Sequence, residues 1–252
     1  MGNLFWLTDE QMARLQPFFP KSHGKQRVDD RRVLSGIIFI NRNGLRWRDA
    51  PAAYGPPKTL YNRWKRWSEM GVFARIFEGL AAEATDKTTI MIDATYLKAH
   101  RTASSLRSKK GDGGRLIGRT KGGMNTKLHA VTDTRGRPIR FFMTAGQVSD
   151  YTGAAALLSG LPKADWLLAD RGYDADWFRE ALQDKGIKPC IPGRKSRGKP
   201  VKYDKRRYRR RNRIEIMFGR LKDWRRVATR YDRCPKVFLS AVTLAATVMF
   251  WL

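Results

Sequence analysis

Apolar residues recur at three- and four-residue intervals over the first third of the chain, then give way to strand-like alternation. Thr8, with Gln11 three residues on, reads as a helix start, and Leu7 and Met12 are placed for a hydrophobic staple. A second helix is predicted over residues 29–43, with Val33, Leu34, Ile37 and Ile38 on one face and Gly44 as its stop. Beyond the turn "YGPPK", Thr59 is the expected cap of a third helix. Its apolar stripe is Leu60, Trp64 and Trp67, while Arg63, Lys65 and Arg66 face elsewhere and Gly71 ends it. Phe73, Ile76, Phe77, Leu80 and Ala81 define a fourth.

From residue 88 the pattern is that of strands. "TTIMIDATYL" is rich in β-branched residues, and "TKLHAVTDTRGRPIRFFM" reads as two strands joined at Arg135 and Gly136. A helix over 151–159, a short buried strand over 166–169, a helix over 174–185 stopped by Gly186, a strand over 187–191 and a long basic helix from 205 follow. The predicted fold class is α/β: a mixed sheet flanked by helices from about residue 86 to 252, preceded by an all-helical region over 1–85. In that region a basic helix carrying Trp follows others through short turns. This suits a helix-turn-helix reader of DNA, with a helical cap on the larger domain as the alternative.

Charge narrows the function. The chain of 252 residues carries a formal net charge of +28, far beyond what solubility requires. Residues 193–233 alone hold 18 Lys and Arg against Asp204, Glu215, Asp223 and Asp232, half of the net total in 41 residues. Phosphates of nucleic acid are the natural counter-charge. Two basic loops, 101–123 and 193–205, are too polar to order themselves by burial and could settle against phosphates. The closing "VFLSAVTLAATVMFWL" is uncharged over 16 residues, short of the roughly 20 needed to span a bilayer, so a buried terminal helix is expected. Cys190 and Cys234 fit neither a disulfide framework nor a zinc spacing. They read as small buried hydrophobes in the reducing cytosol, and with no signal peptide expected at the N-terminus the localisation predicted is cytoplasmic.

Three carboxylates stand out by position. Asp93 interrupts an apolar strand, and Asp170 ends a short buried one, where open α/β sheets place their ligands. Glu215 lies alone among nine Lys and Arg in "KRRYRRRNRIEIMFGRLK". At about 100° per residue, Tyr208, Arg211, Glu215 and Lys222 share an arc of roughly 60°. That stripe borders the apolar face of Ile214, Met217, Phe218, Leu221 and Trp224. Carboxylates converging at a sheet edge, without a Ser, Cys or His partner, suit hard divalent cations such as Mg²⁺ or Mn²⁺ and two-metal phosphoryl transfer. The alternative at this point is three unrelated structural acids. His100 and His129 read as DNA-contacting or structural, His23 sits in a polar loop, and Asp133 and Asp150 fit a turn and a helix cap.

These residues also resemble a family. Tyr208, Arg211, Glu215 and Lys222 reproduce, in order and spacing, the Y-R-E-K signature of bacterial insertion-sequence transposases of the insertion sequence four and five superfamily, most closely the insertion sequence five family. "IDATYLKAHR" and "DRGYDAD" resemble the blocks carrying that family's first and second acids, and "IGRTKGGMNTKLHAVTD", "GQVSDY", "LTDEQMARLQPFFP" and "WRDAPAAYGPPKTLYNRWKRW" extend the likeness over nearly the whole chain. The resemblance implies an RNase H-like catalytic domain whose DDE triad, Asp93, Asp170 and Glu215, ligates two Mg²⁺ or Mn²⁺ ions. It also implies a DNA transposase that cuts the element's ends to release 3′ hydroxyls and joins them to target DNA, acting as a dimer or higher oligomer on double-stranded DNA. Tyr208, Arg211 and Lys222 would then hold DNA near the scissile phosphate, with Arg63, Lys65, Arg66, Arg119 and Lys127 as further candidate contacts. A hydrolytic nuclease of the same fold and a non-catalytic DNA-binding regulator are the rival readings.

Overall fold

A computed structural model of the chain describes residues 3–21, 29–83, 86–105 and 114–252. His23 and residues 106–113 of the first basic loop lie outside the described residues.

The first four helices form where the apolar spacing puts them: α1 (Asp9–Leu15), α2 (Asp30–Asn43), α3 (Pro57–Glu69) and α4 (Val72–Ala82). Thr8 and Gln11 close a reciprocal capping box on α1. Gly44 stops α2 with φ 70°, a left-handed conformation that costs glycine little. Thr59 does not cap α3. Pro57, whose ring presets a helical φ and which needs no amide partner, takes the first helical position, and Thr59 falls inside the first turn.

The sheet strands are β1 (Thr89–Ala99), β2 (Gly118–Thr120), β3 (Gly123–Thr132), β4 (Pro138–Ala145), β5 (Trp166–Leu168), β6 (Lys188–Cys190) and β7 (Thr229–Arg230). Between them lie α5 (Arg101–Ser104), α6 (Asp150–Leu158), α7 (Asp176–Asp184), α8 (Lys205–Tyr208), α9 (Asn212–Lys222) and α10 (Arg225–Ala228), and α11 (Pro235–Phe250) follows β7. Strands β2 and β7 and helices α5 and α10, each four residues or fewer, are too short for periodicity to reveal. The long basic helix expected from 205 is broken: a 3₁₀ turn, Arg209–Arg211, separates α8 from α9.

Among the described residues, the strands form one mixed sheet in the order β2-β3-β1-β5-β6, with β4 on β3 and β7 on β1. β1 pairs antiparallel with β3 along one edge, from Met91 to Lys98. Its other edge pairs in parallel with β5 through Thr89–Met91 and with β7 through Lys98 and Ala99. Between those two contacts the edge of β1 has no strand partner among the described residues, and Asp93 lies in that interval.

The period of two sorts the layers. Ile90, Ile92, Leu167 and Ala169 pack with Ala154 and Leu157 of α6 and Phe178 and Leu182 of α7. Met91, Leu128 and Leu168 belong to the larger core on the opposite face, with α9, α11 and the N-terminal helices. That core runs unbroken into the first four helices, and Phe77 of α4 stacks on Phe141 of β4 with centroids 4.9 Å apart. α11, uncharged beyond Lys236, is largely buried there, and no helix among the described residues is long and apolar enough to cross a membrane. Cys190 is buried, but Cys234 is exposed because it sits at the cap of α11.

Candidate active site

Met91 and Leu168 are register partners across β1 and β5, and both side chains enter the core beneath α9. Two residues on, each strand reaches an acid, so alternation turns Asp93 and Asp170 to the same face. Asp170 continues in extended conformation and caps the 3₁₀ turn Arg171–Tyr173, its Oδ1 accepting from the Gly172 amide at 2.8 Å. That bond fixes one carboxylate oxygen.

Asp93 is about one-sixth exposed. Burial pushes its carboxyl up to about 6, with the charge of Asp170 adding to the rise while Arg211 and the Ala94 amide oppose it. The Ala94 amide donates to Oδ1 at 2.8 Å and Arg211 Nη1 to Oδ2 at 2.8 Å. The other arm of the Arg211 guanidinium donates to Glu215 Oε1. Arg211 therefore bridges the first and third acids, one of which comes from the sheet and the other from α9.

The break before α9 preserves the stripe read from the sequence. In a 3₁₀ turn residues three apart eclipse, so Tyr208 and Arg211 stay on one side, and the guanidinium lies 5.7 Å from the Tyr208 ring centroid. Lys222 closes the row from the far end of α9, its Nζ donating to Thr95 Oγ1 at 2.7 Å, two residues along β1 from Asp93. Burial lowers the pKa of this ammonium. Ile214, Met217, Phe218 and Leu221 hold the other face of α9 in the core. Tyr173 lies behind the acids, and its hydroxyl is buried without a hydrogen-bond partner. Burial, with Asp150, Asp93 and Asp170, raises its pKa well above the ordinary range.

Carboxylate oxygens alone are the donor set preferred by hard divalent ions, and Asp93, desolvated and pushed upward, is a carboxylate short of positive charge. The donor chemistry fits. The arrangement differs from the expected ligand triad, because among the described residues no three His, Cys, Asp or Glu side chains cluster closely enough to hold a metal ion. The physical reason is Arg211, whose guanidinium stands between two of the three acids.

Family models divide the chain in two. The model described as a putative transposase of the IS4/5 family matches residues 7–77, and that of the transposase DDE domain matches residues 84–250, two thirds of the chain. This chain belongs to the DDE transposases. It is 39% identical over 131 residues to a putative transposase for insertion sequence element IS6501 of Brucella ovis, covering 51% of this chain and 99% of the relative. To a putative transposase for IS402 of Burkholderia cepacia it is 35% identical over 101 residues, 32% of this chain and 48% of that one. Its fold matches that of the piggyBac transposase, solved as a synaptic complex with hairpin DNA, with a TM-score of 0.57 at 8% identity over 97% of this chain and 72% of the other.

The remaining candidate residues of this DDE transposase divide by burial. Lys65, Arg66 and Arg119 are exposed. Arg63 is not: it donates to Asp30 Oδ1 at 2.7 Å, with both side chains nearly buried. Lys127 is buried too, its ammonium on Val148 O at 2.6 Å and Asp150 Oδ1 at 3.0 Å. His129 is fully buried with Nε2 beside Thr144 Oγ1 at 3.0 Å, and burial lowers its pKa to about 4. His100 caps α5. Asp133 is buried under Arg137 and two amides of its turn.

Sequence reasoning missed Asp174. Only 1% of its side chain is exposed, and it accepts from Arg179 Nε at 2.8 Å, Arg197 Nε at 3.0 Å and the Arg194 amide at 2.7 Å. Arg194 also donates to the carbonyls of Arg171 and Gly172. The second basic loop is thereby tied to the turn that carries Asp170. "RGYDAD" disguised this acid as an ordinary helix start, which α7 instead makes two residues later.

Proposed function

We propose that this transposase binds the double-stranded ends of its insertion sequence, hydrolyses one phosphodiester at each end, and joins the released 3′ hydroxyls to target DNA. The observation that carries this reading is the turning of Asp93 and Asp170 to one side of the β1 edge, with Glu215 of the basic run 205–222 joined to Asp93 through the Arg211 guanidinium. Asp93, Asp170 and Glu215 are the residues that would hold two Mg²⁺ or Mn²⁺ ions, whose chemistry is to activate the attacking oxygen and stabilise the leaving one.

The chain's own groups do the rest. In cleavage a water oxygen bonds to phosphorus and the bond to the 3′ oxygen breaks, giving a 3′ hydroxyl and a 5′ phosphate. In joining, that hydroxyl attacks a target phosphodiester, so one bond exchanges for another and no energy source or covalent enzyme intermediate is required. Asp170, fixed by the Gly172 amide, gives the site a rigid oxygen. Lys222, held on Thr95, directs an ammonium at the phosphate beside the acids, and Tyr208 and Arg211 line the approach. Arg66 and Arg119 are exposed to bind phosphates further along the duplex, as is Lys65 beside Glu69, and the loop that Arg194 ties to the turn of Asp170 carries the exposed Lys195 and Lys199 to do the same. Region 1–85 would carry DNA contacts and region 86–252 the chemistry. Because two ends must be held together, the working form is a dimer or larger on DNA.

A paired assay tests this. Duplex DNA from the borders of the gene, incubated with the protein, Mg²⁺ and a target plasmid, yields both cut ends and target-joined products. Cut ends that never join a target would make the protein a hydrolytic nuclease of the same fold, and binding without cutting would make it a regulator.

A further inference from the structure

We propose that Arg211 makes divalent-ion binding at the acids conditional on DNA: its guanidinium pairs with Asp93 and Glu215 until a DNA phosphate draws it away. The inference rests on the reading of these acids as the ion site, and it adds the regulation of that site.

Two arms of one guanidinium are committed to two acids, Nη1 to Asp93 Oδ2 at 2.8 Å and Nη2 to Glu215 Oε1. On the Asp93 arm both side chains are about five-sixths buried, so that pair is not one of the solvated ones that contribute little, while Glu215 on the other arm is about half exposed. A guanidinium and a divalent cation cannot both fill the gap between these two carboxylates. Each would need the same oxygens, and each repels the other. An ion that binds to Asp93 and Glu215 must therefore displace Arg211.

Phosphate offers Arg211 an equivalent partner. The planar fork that fits a carboxylate fits a phosphate equally well, with charge-assisted bonds of similar strength. The setting favours the exchange: Arg209 and Arg210 precede Arg211 and are exposed to gather a backbone, and the exposed Arg213, which donates to the Thr134 carbonyl, follows it. Its place also favours movement without dismantling the core. Arg211 ends the 3₁₀ turn between α8 and α9, and no residue of that turn is buried, whereas α9 beyond it is pinned by Ile214, Met217 and Phe218. Swinging the guanidinium from acids to phosphate leaves Glu215 in place and both its oxygens exposed.

The consequence is reciprocal linkage. DNA tightens ion binding by the factor by which ions tighten DNA binding. A chain free of DNA would hold its acids neutralised by its own arginine, so ions assemble at the site only where there is a backbone to cut.

The test is Mn²⁺ binding followed by the electron paramagnetic resonance of free Mn²⁺, on the full chain with and without duplex DNA from the borders of its gene. Asp93→Asn with the same DNA supplies the background of ions held by DNA alone. The wild-type chain is expected to bind Mn²⁺ about ten-fold or more tightly with DNA than without, within the usual range of coupling between two ligands. Arg211→Gln is expected to bind Mn²⁺ without DNA as tightly as the wild type does with it, and to gain little more from DNA. Arg211→Lys keeps the charge but replaces the fork with a single point, and a smaller tightening of the same sign is expected should the Gln variant fold poorly. Mn²⁺ affinity that is unchanged or weakened in both variants, or that is the same with and without DNA in the wild type, overturns the proposal. Cleavage by Asp93→Asn, measured alongside, separates the two levels. Cleavage retained there would sink the ion-site reading itself, while cleavage lost with Arg211 variants no tighter for Mn²⁺ would sink only the conditional pairing.

Discussion

Asp93 and Asp174 are both largely buried aspartates beside arginines, and they have been treated in opposite ways. At Asp174 burial pushes the carboxyl up, but the Arg194 amide and the Arg179 and Arg197 guanidinium groups outweigh it, and the group ends below its ordinary range. At Asp93 burial wins and the carboxyl stands near 6, although Arg211 touches it. One site is complete in itself and ties a loop to the fold. The other shares a single guanidinium with Glu215, which does not outweigh its burial and the charge of Asp170. Perturbed carboxylates cluster at functional sites, and the contrast fits the proposed division between an acid that holds the structure and an acid offered for chemistry.

The contrast can be broken from either end. The largest effect is expected on rate. Asp93→Asn or Asp170→Asn should lower DNA cleavage by about a thousand-fold or more, since the ion chemistry removed supplies several kcal/mol at 1.36 kcal/mol per decade. Radiolabelled gel assays of border DNA check it, and the same change at Asp174 should spare the chemical step in whatever protein remains folded.

Next comes stability. Asp174→Ala leaves Arg179 and Arg197 without their buried partner, and a loss of about 3–5 kcal/mol in urea unfolding is expected. Because the folded carboxyl lies below its unfolded value of 3.8, its contribution is present above that pH and disappears as the pH falls through the folded value. Asp93 predicts the reverse. Its folded value near 6 lies above the unfolded 3.8, so the ionised group costs stability at neutral pH, and that cost declines as the pH falls below about 6 and vanishes below the unfolded value of 3.8. Asp93→Asn should therefore be more stable than the wild type at pH 8, by at most about 3 kcal/mol for a shift of this size, with the gap roughly halved at pH 5 and closed below 3.8. A variant that loses activity and gains stability is the signature of a site kept under strain for function.

The smallest effect is at the surface. Arg66→Ala should leave folding unchanged and reduce by roughly one the slope of DNA affinity against salt, the release of a single counter-ion. Lys127→Ala, which empties a buried pair instead, should destabilise the fold and leave that slope untouched.

Much of this was legible in the sequence. Capping residues, the change from helical to strand period and the uncharged closing run gave nearly every element longer than four residues, because these depend on local spacing. The three acids were visible because two interrupt or end strands and the third breaks a charge run. What periodicity could not carry was contact between distant segments. Arg63 and Lys127 looked like surface cations, and only the partners Asp30 and Asp150 show them turned inward. The loop that Asp174 anchors is distant in sequence, and the bridge of Arg211 to Asp93 spans 118 residues.

The central claim is that Glu215, with Asp93 and Asp170, carries the chemistry rather than neutralising its arginine neighbours. Glu215→Gln removes the charge while keeping the size of an exposed side chain on a helix whose packing lies elsewhere. Binding and cleavage of border DNA, measured on the same samples, decide the matter. Binding within about two-fold of the wild type, with cleavage and joining lost, is the predicted result, within the few tenths of a kcal/mol expected for an exposed helical substitution. Cleavage at the wild-type rate would show Glu215 to be a counter-ion and contradict the account.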